Sequence, residues 1–126
     1  MTARRRKVEI LQWLGFFVAP AAWISQHLIG QGIGQVACSN ANTTWGLSNT
    51  EWQILLLVVA GSLILLSLGA AIASYVMTRA ASYEDPPPLG RMQLFSIAAI
   101  TTNSLLLIIV VLDGTASLVN IACRMG

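Results

Sequence analysis

Apolar positions in this chain come in long runs. Ile10 to Thr50 carries no formal charge, Gln53 to Thr78 is nearly continuous Leu, Val, Ala and Ile, and Met92 to Leu112 is uncharged until Asp113. A helix crossing the hydrocarbon core of a bilayer needs about 20 mostly apolar residues, and each run supplies them. A membrane β-barrel would show alternating segments of about ten residues instead, a pattern that is absent. The expected fold is all-α, an integral membrane domain of three transmembrane helices near residues 10–36, 51–79 and 90–113, occupying the whole chain as one unit. Helix three ends either at Asp113-Gly114 or near Ile121.

Composition agrees with this pattern. The chain has 126 residues, 56% of them hydrophobic and only 10% charged, and its mean hydropathy is +0.71. A water-soluble domain carries about 25% charged residues, so a soluble globule is excluded. One histidine, two cysteines and five acids leave little material for enzyme chemistry, and we expect no catalytic residues, no metal site and no cofactor in this chain. Bis-histidine haem ligation would need a second histidine from a partner.

Charge sets orientation, because Lys and Arg are retained on the cytoplasmic side of a membrane. Arg4, Arg5, Arg6 and Lys7 precede span one, and Arg79 and Arg91 flank the connection between spans two and three, whereas only Arg124 falls on the other side. The N-terminus is expected in the cytoplasm and the C-terminus outside. The basic cluster reads as a topology anchor, and no nucleic-acid partner is expected. The basic start, the apolar stretch from Leu11 to Val18 and Ala19-Pro20-Ala21 also imitate a signal peptide, but we expect the segment to be retained as a span.

Punctuation along the chain fits the same layout. Ser48 and Glu51 have capping-box spacing for the start of span two, and Pro86-Pro87-Pro88 makes a stiff connector between spans two and three. Asn42-Thr43-Thr44 matches a glycosylation acceptor, a pattern so short that it is usually accidental. Trp13, Tyr75 and Tyr83 mark the inner interface and Trp45 and Trp52 the outer one.

Polar residues inside spans are costly unless they find partners. Trp23, His27, Gln31 and Gln35 follow i, i+4 spacing on one face of span one, in the half beyond Pro20, which is expected to kink the helix and leave the Phe16 carbonyl without its donor. The face reads as a contact with a partner, lipid or quinone, as a proton path, or, more simply, as glutamines bonding across a helix interface. In span three, Thr101, Thr102, Asn103 and Ser104 form a polar belt, of which Thr102 or Asn103 should face span one. Gly30 and Gly34 form GxxxG, and Gly69 with Ala73 and Ala70 with Ser74 extend small-xxx-small packing to span two.

Cys38 and Cys123 fall on the outer side near helix ends, in an oxidising compartment, so a disulfide between them is the expected pairing. Two cysteines alone do not complete a tetrahedral metal shell, and there is no CxxC.

Ala19-Pro20-Ala21-Ala22-Trp23, a polar outer half and Ala37-Cys38, with Cys123 near the C-terminus, resemble a family of small three-span bacterial membrane proteins. Members are often encoded beside haem-copper terminal oxidase genes and generally lack an assigned function. The shared pattern is P-x-A-W, then A-C, then a late cysteine, met here by Pro20, Ala22, Trp23, Ala37, Cys38 and Cys123. The chain departs from it between Gly30 and Gln35 and in the tail from Arg124.

The resemblance implies a non-catalytic accessory subunit of a respiratory electron-transfer complex, a terminal oxidase being the favoured host, in the bacterial inner (cytoplasmic) membrane. Its partners would be that larger complex and the lipid bilayer. The alternative is a small homo-oligomeric transporter or channel with Gln31, Gln35 and Asn103 along its path. A copper- or haem-handling assembly factor lacks the Met and His clusters expected for copper.

Overall fold

A computed structural model describes residues 3–37, 46–80 and 89–119. These form three helices, α1 (Ala3–Ala37), α2 (Asn49–Thr78) and α3 (Leu89–Val119). All three are long and apolar enough to cross a membrane, over Ala3–Val36, Thr50–Thr78 and Gly90–Leu118. Contacts between Gly30 and Gln53 and between Gly15 and Ala71 make α2 antiparallel to α1. Asn103 against Gly15 and His27 against Asp113 make α3 parallel to α1, giving an up-down-up bundle.

The helix ends differ from the expected spans for local reasons. α1 begins at Ala3 and takes in the basic cluster, since Lys and Arg are good helix formers, and it continues as helix through Pro20. α2 starts where the capping box places it. Ser48 Oγ accepts from the Glu51 backbone N–H at 3.2 Å, and the Ser48 N–H donates to Glu51 Oε2 at 2.7 Å. α3 does not stop at Asp113 but runs on to Val119, with the Asp113 carboxylate held by His27 and Gly114 packed against Leu57.

Buried positions recur at steps of three, four and seven on each helix. They include Val8, Gly15, Ala19, Ala22, Gln26 and Ile33 on α1, Gln53, Ala60, Ile64, Ser67, Ala71, Ser74 and Thr78 on α2, and Met92, Ser96, Ala99, Asn103 and Val110 on α3. A seven-residue repeat of this kind keeps one seam of each helix turned toward its neighbours. The core is unlike that of a soluble bundle: apart from Ile64 and Val110, its fully buried side chains are small or polar. The large aliphatics point outward, with Leu66 at 70% and Leu28 at 65% exposed. Hydrophobic burial does not drive helices together in lipid, so close approach of small residues and interhelical hydrogen bonds take that role.

Glycine placement follows from this. A Cβ on Gly15 would lie 3.0 Å from both Cβ and N of Ala71, so at this glycine α1 approaches the backbone of α2. The first glycine of the GxxxG pair faces an amide side chain: Gln53 Nε2 donates to the Gly30 carbonyl at 3.1 Å. Gly69 meets nothing within 4 Å of a Cβ position, which removes it from the small-residue packing expected of span two.

Candidate functional site: polar layers between the helices

Besides the Gln53–Gly30 bond, polar side chains join the helices at three levels. At the end carrying the basic cluster, Ser74 Oγ and Ser96 Oγ lie 2.8 Å apart between α2 and α3. Near the middle, Asn103 Nδ2 donates to the Gly15 carbonyl at 2.8 Å and to Ser67 Oγ at 3.1 Å. Ser67 Oγ in turn donates toward the carbonyls of Leu14 and Gly15, each at 3.1 Å. One node therefore ties all three helices together. Its acceptor on α1 is Gly15, adjacent to Phe16, whose carbonyl loses the Pro20 donor.

The other members of the polar belt behave differently. Thr101 and Ser104 return their hydroxyls to the carbonyls four residues back, Ile97 at 3.0 Å and Ile100 at 2.8 Å, which satisfies a hydroxyl without a neighbouring helix. Thr102 is exposed. Of the two residues expected to face span one, Asn103 does so and Thr102 points away.

The third level lies at the opposite end, where His27 Nδ1 and Asp113 Oδ2 are 3.3 Å apart across α1 and α3. An ionised carboxylate only accepts, so Nδ1–H is the donor to Asp113, and in the neutral imidazole Nε2 then keeps the lone pair. Both side chains are partly exposed, at 42% and 33%. Trp23 stacks on the imidazole, with ring centroids 6.2 Å apart and planes 28° from parallel, while its other side packs against the apolar cluster of Ala19, Ala22, Ala60, Ile64 and Val110. Asp113 lies nine residues past the middle of the apolar stretch of α3, which is about 14 Å along a helix. That distance corresponds to the edge of a hydrocarbon core about 30 Å thick.

The expected polar face of α1 thus divides in two. Trp23 and His27 engage their own bundle, whereas Gln31 and Gln35 are exposed. Gln26, in the sequence only one of the polar residues beyond Pro20, is buried at 4% exposure, and Asp113, in the sequence only a possible end to the helix, is the partner of His27. Oε1 of Gln26 and Oδ1 of Asn103 are buried acceptors with no partner among the described residues.

Cys38 and Cys123 lie outside the described residues, as do Asn42-Thr43-Thr44, Trp45, Tyr83, the three prolines and Arg124. Among the described residues no three His, Cys, Asp or Glu side chains come together in a way that could hold a metal ion. Comparison of the chain with protein-family models, curated proteins and solved structures finds no match.

Proposed function

We propose that this protein is a non-catalytic accessory subunit of a respiratory electron-transfer complex in the bacterial inner membrane, with a haem-copper terminal oxidase as host. In this reading the N-terminus lies in the cytoplasm and the C-terminus outside, supported by the clustering of Arg4 to Lys7, Arg79 and Arg91 at one end. The observation that carries the reading is the division of the α1 polar face. Trp23 and His27 make ring and ion-pair contacts within the chain, while Gln31 and Gln35, on the same face and farther along the helix, project from the bundle. Two amide side chains at the membrane boundary fit a partner surface that offers hydrogen bonds.

The pore reading is less well supported, because Asn103 is fully buried and bonded to α1 and α2. It does not share a surface with Gln31 and Gln35 that a second copy could line. Purification from native membranes in mild detergent, followed by mass spectrometry, tests the proposal. Large redox subunits should co-purify, and their loss from a Gln31→Leu/Gln35→Leu double variant that still inserts would locate the contact. A chain that purifies alone, or only with copies of itself, would overturn the assignment.

A further inference from the structure

We propose that the His27–Asp113 pair, with Trp23 beside it, binds the headgroup of a neutral lipid-borne phenol or hydroquinone. The proposal rests on the membrane reading above and not on the identity of the host. Asp113 holds the Nδ1 proton of His27 at 3.3 Å, which leaves Nε2 as an acceptor that makes no hydrogen bond among the described residues and belongs to a ring 42% exposed. A carboxylate behind an imidazole fixes the ring's orientation and its tautomer. The natural complement of that nitrogen is a hydroxyl group, which donates its proton into a hydrogen bond without transferring it.

The surroundings narrow the ligand. Among the described residues every Lys and Arg lies at the opposite end of the bundle, at Arg4 to Lys7, Arg79 and Arg91, so nothing here attracts a phosphate. Two donor side chains leave a zinc ion short of its four ligands. The approach is from lipid, since the neighbouring aliphatics Ile24, Leu28, Ile109 and Leu112 are 43–65% exposed, and the pair sits level with the edge of the hydrocarbon. Trp23 and His27 already form a stacked aromatic surface, which a flat ring extends and an aliphatic alcohol does not. A hydroxylated aromatic ring on an apolar tail meets all of these conditions.

His27 is the sole histidine of the chain, so nitrogen NMR of the ¹⁵N-histidine-labelled full-length protein in lipid nanodiscs reads the site directly. Decyl-hydroquinone should shift the Nε2 resonance saturably and leave Nδ1 protonated. Its dimethyl ether, which lacks the donor hydroxyls, and a diacylglycerol, which lacks the ring, should not. In the Asp113→Asn variant the tautomer bias is lost and half-saturation should need about tenfold more ligand, the effect of one charge-assisted hydrogen bond. Equal shifts with the ether or the diacylglycerol, or no saturable shift in an inserted and helical chain, would overturn the assignment. So would unchanged affinity in Asp113→Asn. Failure of the chain to enter nanodiscs would count against the membrane reading instead, and the two outcomes are separable.

Discussion

Replacing Gly15 with alanine probes a backbone-level contact between α1 and α2. The added Cβ would lie 3.0 Å from Ala71 Cβ and N and 3.1 Å from Ala71 Cα, and because two of those atoms are backbone, no side-chain rotation relieves the overlap. Restoring ordinary contact requires α1 and α2 to separate by about 0.4 Å, the overpacking response of a tight core. The same shift lengthens the Ser67 bond to the Gly15 carbonyl, now 3.1 Å, to the limit of a hydrogen bond. Overpacking costs roughly 1–3 kcal/mol, and a weakened interhelical bond in a membrane adds about 0.6 kcal/mol. Alanine returns about 0.5–1 kcal/mol of helix propensity. The net expectation is a loss of about 1–2 kcal/mol, a factor of roughly 5–30 in the folded population. Reversible unfolding in mixed micelles, followed by far-ultraviolet circular dichroism, measures it. Gly69→Ala is the matched control, since that position has open space, and should be neutral or stabilised by up to about 1 kcal/mol. A Gly15→Ala protein as stable as the wild type, or indistinguishable from Gly69→Ala, would refute the reasoning.

Asn103→Leu removes two donated bonds together with the partnerless Oδ1, so a loss of only about 1 kcal/mol is expected, measured in the same micelle titration. A Cys38–Cys123 bridge should appear as a mass two hydrogens below the reduced chain when the protein is isolated without reductant, with two free thiols contradicting it. On chain-entropy grounds such a bridge contributes about 4 kcal/mol. Single-cysteine probes placed at positions 80–88 should label only from the cytoplasmic side, and outside labelling would reverse the orientation.

Much of the fold was legible because three uncharged runs of spanning length admit few other arrangements in lipid. The position of α2's start was equally legible, since Ser48 and Glu51 form a local motif. Pairings between helices were harder to read. His27 and Asp113 stand 86 residues apart, and a charge at the end of an apolar run reads as a boundary before it reads as a partner. Matching depths in an up-down-up bundle could have found the pair, because both residues fall toward the same end of parallel helices, away from Arg4 to Lys7. The packing glycine was obscured in another way. GxxxG drew attention to Gly30 and Gly34, while the tight contact lies at Gly15, the start of the series Gly15, Ala19, Ala22, Gln26 and Gly30 that turns inward at steps of four, three, four and four. Helical spacing identifies such a face, but not which helix meets it.

The division of α1 between an inward face and the projecting pair Gln31 and Gln35 underlies the functional account, and crosslinking in intact membranes tests it most directly. A photoreactive amino acid replacing Gln31 should, on illumination of native membranes, give a covalent adduct with a large redox subunit, while the same probe at Leu66, which points outward on α2, should give mainly lipid adducts. Adducts from position 31 confined to lipid, or to a second copy of this chain, would contradict the accessory-subunit account.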